Sequence, residues 1–252
     1  MGPVEKYLLD KIREDRAIHI TLIDLCPPEK VTPSLASYLA REAESSQTAA
    51  IMLGGSSLVL TSHLDAVTKE VKKTVKIPVI LFPNNVTGIS KYADAIWFMS
   101  LLNSSDPYFL SGAQVLGAPI IRKFGLEPIP LGYIVVGTGG SVGVIGRICP
   151  IPYDKYELAA AHALAAQYFG MRFVYLEAGS GAEEPVPEGM IKTVKKLIDI
   201  PLIVGGGIRR GEQAKEAVEA GADVIITTAD QRSEVKDIIR ELVENTKAGR
   251  RM

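Results

Sequence analysis

Short apolar runs alternate along the chain with longer segments in which apolar residues recur every three or four positions. The runs predict buried strands, and the recurrence predicts helices with one apolar face. The predicted strands cover residues 19–24, 49–53, 77–82, 95–99, 127–136, 173–177, 201–204 and 224–228. The predicted helices cover residues 3–16, 33–45, 63–75, 106–124, 153–169, 183–198, 213–220 and 235–243. Residues 137–152 are rich in glycine and predict a long loop with little helical or strand character.

The predicted strands are continuously apolar, which indicates a parallel sheet buried on both faces. About eight strand–helix units fit a (β/α)8 TIM barrel, a fold that typically needs about 250 residues. We expect one α/β domain over residues 1–252, because no Ser/Pro-rich linker divides the chain. Only VTGISKY separates Asn85 from the fourth apolar run. The helix of the third strand–helix unit, after the strand at residues 77–82, is therefore expected to be shortened or missing. A doubly wound open sheet is the competing architecture.

Composition narrows the class of protein further. Hydrophobic residues make up 47% of the chain, enough for a large core, and the net charge of −1 with no basic block argues against a nucleic-acid partner. No apolar run reaches the roughly 20 residues of a membrane span, so membrane association is expected to be transient at most. Cys26 and Cys149 lie far apart, and no Cys/His cluster has zinc spacing. A cytoplasmic protein without a disulfide framework is therefore expected.

The sixth predicted strand ends in a loop of small residues, FVYLEAGSGA. Gly179 and Gly181 allow the backbone to approach a ligand, and free amides there can hold an anion. Tyr175 and Glu177 share one face of the strand and look exposed in the sequence. A phenol and a carboxylate at this position favour acid–base chemistry beside a phosphate. The alternative is a tight turn with a surface glutamate.

A second glycine-rich loop, GGGIRRG, follows the seventh strand. Amides at Gly205, Gly206 and Gly207 are suited to phosphate oxygens, and the late loops of TIM barrels often hold a phosphate. Arg209 either adds positive charge to this site or faces solvent. The alternative interpretation is a tight turn that packs against the barrel.

An acidic residue, Asp24, ends the first apolar strand, where a carboxylate needs a partner. Magnesium takes oxygen ligands and often bridges a carboxylate and a substrate phosphate. The hydroxyl of Ser56 or Ser57, in the GGSS segment after the second strand, is a candidate second ligand. A capping or turn aspartate and a flexible turn are the alternatives. Two anion sites at one barrel mouth would imply two phosphorylated substrates.

Together these segments resemble the geranylgeranylglyceryl phosphate synthase family. HITLID with Asp24, MLGGSS, YLEAGSGA, and VGGGIR followed by GADVIITT occur in the family's order between His19 and Ala229. YLEAGSG with VGGGIR is quite specific to the family, whereas GGSS is not. The resemblance implies a TIM barrel with a missing or modified third helix, as the short third unit also indicates.

The resemblance also implies a reaction. Such enzymes transfer the geranylgeranyl group of geranylgeranyl diphosphate to the C3 hydroxyl of sn-glycerol 1-phosphate, an early step of archaeal ether-lipid biosynthesis. By this match Asp24 and Ser56 would bind Mg²⁺, which holds the diphosphate, and Glu177 would accept the hydroxyl proton with Tyr175 beside it. The implied substrate-binding residues are Tyr175, Leu176, Glu177, Ala178, Gly179, Ser180, Gly181, Gly206, Gly207, Thr228 and Ala229.

The chain departs from the family pattern at two places. The family usually has Gly-Asn after the eighth strand, where this chain has Thr228 and Ala229, so no side-chain amide is offered to the phosphate. The family's aspartate is usually followed directly by proline, whereas Leu25 and Cys26 intervene here before Pro27.

The prenyl tail needs an apolar groove, and the residues that end the fourth strand either line it or belong to the core; these are Trp97, Phe98 and Met99.

Two other classes of function stay open from the sequence. A different phosphate-binding barrel, such as an isomerase or a flavin-binding oxidoreductase, would share the GGGIR loop without needing Asp24. A non-catalytic barrel would keep only the phosphate site. Within the family, the prenyl chain length is open. A homo-oligomer is expected, because barrels of this kind often pair through their outer helices.

Overall fold

The chain, in a computed structural model that describes residues 1–27, 29–55, 60–229 and 234–249, forms a closed barrel of parallel strands surrounded by helices. Among these residues eight strands follow one another in sequence order, and the last pairs with the first. The strands are β1 (Ile18–Asp24), β2 (Ala50–Gly54), β3 (Val79–Phe82), β4 (Ala95–Leu101), β5 (Glu127–Val135), β6 (Phe173–Glu177), β7 (Leu202–Gly205) and β8 (Val224–Ala229). The expected TIM barrel is confirmed, and the open doubly wound sheet is wrong.

Helices cover the outside of the barrel and one of its ends. They are α1 (Pro3–Asp15), α2 (Pro33–Ser45), α3 (Thr61–Thr74), α4 (Ala113–Phe124), α5 (Gly140–Ile145), α6 (Tyr156–Tyr168), α7 (Glu188–Leu197), α8 (Gly211–Ala220) and α9 (Val235–Ala248). The helix predicted over residues 106–124 is divided, since a π-helical turn at Tyr108–Gly112 precedes α4.

The third strand–helix unit is shortened, as the sequence predicts. The segment between β3 and β4 holds one 3₁₀ turn, Val86–Gly88, instead of a full helix. The Asn85 side chain stabilises this turn, because its Oδ1 accepts hydrogen bonds from the Thr87 amide and hydroxyl, each at 2.7 Å. This side of the barrel therefore carries less covering structure than the others.

The glycine-rich segment after β5 differs from its prediction. Residues 140–145 form the short helix α5 within what the sequence predicts as a loop. Gly139 and Gly140 enter it with φ of +66° and +55°, a conformation that glycine adopts without steric cost. The apolar residues Val142 and Ile145 then border the cavity at the barrel mouth. Glycine content alone predicts a loop, but here two glycines make a turn and the apolar residues after them form a helix.

Alternation along β6 sorts its side chains between the two layers of the barrel. Phe173 and Tyr175 belong to the apolar cluster inside the barrel, whereas Val174 and Leu176 pack in the layer between the sheet and the helices. At the amino-terminal end of the barrel, the Glu127 carboxylate accepts hydrogen bonds of 2.7 and 2.8 Å from the first amides of α1. A carboxylate at the positive end of a helix is stabilising. Helix α1 therefore covers this end, and the carboxyl ends of the strands remain open.

Candidate active site

A large cavity opens at the carboxyl ends of the strands, with a volume of about 400 Å³. Its wall is mostly apolar, and the charged side chains among the described residues that line it are Asp24, Glu177 and Arg209. Asp24 ends β1 and Gly205 ends β7, and in an all-parallel barrel both strands end at one mouth. The structure therefore brings the predicted carboxylate and the predicted glycine loop to the same site.

Asp24 is half-buried at the rim of the cavity. Its Oδ1 accepts a 2.9 Å hydrogen bond from the Cys26 amide, a local contact within the first loop. Burial raises the pKa of the Asp24 carboxyl, and the hydrogen bond from Cys26 opposes that shift. Across residues 1–27, 29–55, 60–229 and 234–249, no hydrogen bond reaches its other oxygen. The predicted partners Ser56 and Ser57 lie outside the described residues.

The donor set at Asp24 fits a cation that is shared with a substrate. Among the described residues, no group of three or more His, Cys, Asp or Glu side chains could hold a metal ion. Magnesium does not need such a cage, because it usually binds one or two carboxylates together with substrate phosphates and water. A partly desolvated carboxylate that points into the cavity gains from a nearby positive charge. The chemistry of Asp24 is therefore compatible with the expected Mg²⁺.

Tyr175 and Glu177 lie inside the barrel, which corrects their exposed appearance in the sequence. Their exposed fractions are 1% and 7%. Burial raises the pKa of the Glu177 carboxyl, while hydrogen bonds from the Tyr175 hydroxyl and the Gly179 amide lower it. The Gly179 amide lies 2.7 Å from Glu177 Oε1. Glu177 is thus a buried carboxylate in a fixed orientation, and its raised pKa suits a proton acceptor.

The loop after β6 and the loop after β7 pack against each other through glycines. Gly179 and Gly181 have φ of +105° and +79°, and Gly206 and Gly207 have φ of +78° and +74°. A Cβ at Gly206 would overlap Glu177 Oε1 and lie 2.6 Å from the Gly179 nitrogen. The backbone therefore comes close to the acidic residue only because these positions carry no side chain.

The remaining predicted binding residues differ in the atoms that they present. Ser180, Gly181 and Thr228 border the cavity. The side chains of Leu176 and Ala178 pack outside the barrel, and so does that of Ala229. These three residues can contribute only backbone atoms to the site.

An apolar groove forms the opposite part of the cavity. The shortened third unit supplies Val86 and Ile89, and α4 supplies Gly117 and Ile121. For the end of β4 the sequence left two alternatives, the core or the wall of the groove. Trp97 belongs to both, because it is 1% exposed in the barrel core and also borders the cavity. Phe98 and Met99 border it as well.

Two aromatic residues of the site are missing from the sequence prediction. Tyr133 of β5 pairs in register with Tyr175, and their ring centroids are 5.2 Å apart. Phe82 of β3 packs edge-to-face on Tyr133 at 5.3 Å. All three rings border the cavity beside Glu177. The alternation Leu131, Tyr133, Val135 carries the signal, but it identifies an inward tyrosine only once the register against β6 is known.

A (β/α)8 barrel with carboxylates and close glycine loops around one cavity defines the class: a TIM barrel whose mouth is built to bind phosphorylated ligands. The chain belongs to the PcrB family, which it matches over residues 10–246. Among the described residues, no helix is both long and apolar enough to cross a membrane.

Known proteins of this family are similar to the chain over almost its whole length. The geranylgeranylglyceryl phosphate synthase of Thermofilum pendens is 50% identical, with 98% of this chain and 96% of that protein covered. That of Pyrococcus horikoshii is 52% identical, with coverage of 99% and 97%. The crystal structure of (S)-3-O-geranylgeranylglyceryl phosphate synthase from Thermoplasma acidophilum in complex with the substrate sn-glycerol-1-phosphate superposes with a TM-score of 0.90 at 41% identity. The superposition covers 96% of this chain and 98% of the Thermoplasma acidophilum chain. The family resemblance of the sequence motifs is confirmed.

Proposed function

We propose that this protein is a geranylgeranylglyceryl phosphate synthase, which joins the geranylgeranyl group of its diphosphate to the C3 hydroxyl of sn-glycerol 1-phosphate. One observation carries the proposal: a single cavity contains a carboxylate, an apolar groove and two close glycine loops around Glu177. The names and near-complete coverage of the relatives support the same reaction. Its product would be an intermediate of archaeal ether lipids.

The donor diphosphate would lie on the β1 side, next to Asp24. Asp24 and Ser56 or Ser57 would hold Mg²⁺ there, and the ion would neutralise the charge of the leaving diphosphate. The apolar tail would extend along the groove between the third unit and α4. The apolar lining between Ile89 and Ile121 favours a hydrocarbon chain as its occupant.

The acceptor would lie between the β6 and β7 loops. The amides of Gly206 and Gly207 would bind its phosphate, and the C3 hydroxyl would point at Glu177, which the Gly179 amide holds in place. In the reaction the bond between C1 of the donor and the diphosphate oxygen breaks, and the acceptor oxygen bonds to C1. The hydroxyl proton passes to Glu177, and diphosphate leaves with the bonding electrons. The rings of Phe82, Tyr133 and Tyr175 would stabilise positive charge that develops on the allylic carbons.

A direct assay tests the proposal. The purified protein is incubated with Mg²⁺, geranylgeranyl diphosphate and sn-glycerol 1-phosphate, and the ether product is identified by mass spectrometry. Product that requires all three additions is the expected result. A folded protein that yields no ether product with donors of any chain length would contradict the proposal. Shorter and longer donors in the same assay establish the preferred chain length.

The variant Asp24→Ala separates this reaction from other phosphate-binding barrels. We expect it to lose magnesium-dependent turnover and to bind Mn²⁺ together with diphosphate more weakly in a titration calorimeter. Its affinity for sn-glycerol 1-phosphate should stay within about twofold, because Asp24 lies on the donor side. Undiminished ether formation by Asp24→Ala would contradict the role of Asp24 in holding Mg²⁺. A wild-type protein that forms no ether and carries a bound yellow flavin would instead favour a flavin-dependent enzyme.

The cellular context belongs to the same proposal. Within the described residues Cys26 and Cys149 are not joined by a disulfide. A cytoplasmic location is part of the proposal, because two cysteines far apart in the chain give no disulfide framework. Both substrates are small molecules, and membrane association is expected to be transient at most. A homo-oligomer is in keeping with the exposed apolar residues Val115, Leu116 and Ile120 of α4. Light scattering on the purified protein tests the oligomeric state.

A further inference from the structure

Positive charge is scarce in a cavity that would bind a phosphate and a diphosphate. Of the described residues that line it, Asp24 and Glu177 are acidic, and Arg209 is the one basic residue. Arg209 follows the three glycines of the β7 loop and lies beside Gly206 and Gly207 in the wall. The acceptor side therefore contains the cation, whereas the donor side contains a carboxylate.

The Arg209 side chain is oriented by contacts at one nitrogen. Its Nη2 donates hydrogen bonds to the carbonyl oxygens of Gly181 and Ala182, at 3.3 and 2.8 Å. Its backbone amide donates to Gln213 Oε1 at 2.9 Å, which ties the loop to the first turn of α8. Nε and Nη1 make no hydrogen bond to any of the residues that the structure describes.

A guanidinium carries five N–H donors in a rigid planar arrangement, so one nitrogen can hold the protein while the others bind an anion. Arg209 spans the two loops that form the acceptor site, since it extends from the β7 loop to the carbonyls of the β6 loop. The end of β8, at Thr228 and Ala229, adds neither a side-chain amide nor a charge to the site. Among the described residues of the wall, Arg209 is therefore the one that offers a positive charge to an anion.

Resting on the proposed function, we infer that Arg209 is a specificity-determining residue of the acceptor site. Nη2 fixes the loop that contains Gly179 and Gly181, and the other nitrogens donate to the acceptor phosphate. The residue thereby favours phosphorylated over neutral acceptors. It acts on the acceptor alone, because the donor diphosphate binds on the β1 side of the cavity.

Three variants test this inference: Arg209→Gln, Arg209→Lys and, as a matched control, Arg210→Gln, which removes an adjacent exposed arginine outside the cavity wall. Binding of sn-glycerol 1-phosphate is measured by titration calorimetry, and KM is measured for both substrates. Because a charge-assisted hydrogen bond contributes about 1.5–3 kcal/mol, Arg209→Gln is expected to weaken acceptor binding roughly 10- to 100-fold. The KM for the prenyl diphosphate should stay within about twofold. Arg209→Lys should recover part of the affinity, since it keeps the charge, and Arg210→Gln should match the wild type.

Acceptor selectivity gives a second readout. Turnover with glycerol, compared with sn-glycerol 1-phosphate, should rise in Arg209→Gln, because only the phosphorylated acceptor loses a contact. Acceptor affinity of Arg209→Gln within twofold of wild type would overturn the inference. A parallel rise in KM for both substrates would also overturn it, because it would indicate damage to the loop. If Arg209→Gln does not fold, the same comparison is made with Arg209→Lys. A wild-type protein that neither binds the acceptor nor forms product would instead contradict the proposed function.

Discussion

The two sides of the cavity are built from different parts of the chain. The proposed acceptor side, after β6 and β7, is mainly backbone, and four of its glycines have positive φ. The proposed donor side, from β1 to α4, is mainly side chains: one carboxylate and an apolar groove. A site made of backbone depends on the absence of side chains, whereas a groove made of side chains can change its length without altering the backbone. The acceptor side should therefore be intolerant of substitution, and the donor side should be adaptable.

The largest effect is expected at Glu177, where the two sides meet. Glu177→Gln keeps the shape and can still accept from the Gly179 amide, but it cannot take a proton. A positioned base usually contributes about 10²–10⁴ in rate, so kcat should fall within that range. Steady-state kinetics with both substrates measures the loss. Glu183→Gln, an exposed carboxyl in the same loop, is the control and should leave kcat unchanged.

The pH dependence of the wild type sharpens the same prediction. Burial raises the pKa of Glu177, so the ionised form, which would accept the proton in the proposed reaction, is lost as pH falls through a value above the ordinary 4.5. Activity should therefore show an acid limb with its midpoint above pH 4.5, and Glu177→Gln should lack that limb. If the variant retains at least a tenth of wild-type kcat with an unchanged profile, another group accepts the proton.

The next effect tests how far the acceptor side depends on bare backbone. Gly206→Ala adds a methyl group that would overlap Glu177 Oε1 and crowd the Gly179 nitrogen. We expect KM for sn-glycerol 1-phosphate to rise roughly 10- to 100-fold, as charge-assisted hydrogen bonds are lost. Calorimetric affinity for the acceptor and the melting temperature are measured together.

Gly170→Ala is the control for backbone strain. Gly170 has φ of +82°, close to the +78° of Gly206, but no atom lies within 4 Å of the position that its Cβ would take. Both variants should lose about 1–2 kcal/mol of folding free energy through the left-handed conformation. Only Gly206→Ala should lose acceptor affinity, and equal affinity in the two variants would show that the close approach has no role in binding.

The acceptor side is also the part that could be predicted best from the sequence. Gly179, Gly181, Gly206 and Gly207 are readable because glycines at strand ends report backbone geometry directly. The eight strands are readable from their apolar runs. The absence of a full helix between β3 and β4 is readable from the short segment before residue 95. Burial of Tyr175 and Glu177 is not readable, because β6 alternates between two buried layers and polarity does not distinguish them.

Long-range contacts account for the residues that the sequence missed. Tyr133 and Phe82 join the site only through the register of β5 against β6 and through ring packing across the barrel. Arg209 contacts Gly181 and Ala182 of the β6 loop, which lie 28 and 27 positions before it in the chain. Helix α5 depends on two glycines turning the chain so that Val142 and Ile145 can pack at the mouth. None of these relations follows from local spacing.

The adaptable donor side predicts a smaller and selective effect. A Cβ at Gly117 on α4 would lie 3.3 Å from Ile89 Cδ1 and 3.9 Å from Ile121 Cδ1, inside the groove. Gly117→Leu should fill that space and shift the preference from long toward shorter prenyl donors by about tenfold in relative kcat/KM. KM for the acceptor should not change. Ala118→Leu, on the exposed side of the same helix, is the control, and equal donor preference in the two variants would place the tail elsewhere.

The smallest effect on catalysis is expected at the junction between the two sides, where β1 pairs with β8. His19 of β1 is buried there, and its ring nitrogens lie 3.0 Å from Thr48 Oγ1 and 2.8 Å from Thr227 Oγ1. The Thr48 hydroxyl donates to the His19 carbonyl oxygen, so it accepts from Nδ1–H. Burial lowers the pKa of His19 to about 3, so the ring is neutral at pH 7 and Nε2 accepts from the Thr227 hydroxyl.

The lowered pKa of His19 sets the direction in which stability changes with pH. The unfolded chain binds a proton near pH 6.5, whereas the folded chain does so only near pH 3, so stability is complete above 6.5 and declines below it. At pH 5 the loss should be about 2 kcal/mol, since each pH unit contributes about 1.36 kcal/mol. Urea unfolding of the wild type, His19→Gln and His162→Gln between pH 7.5 and 5 measures it. Removal of His19 should flatten the decline and removal of the half-exposed His162 should not; if both variants follow the wild-type curve, the β1–β8 junction does not depend on a neutral histidine.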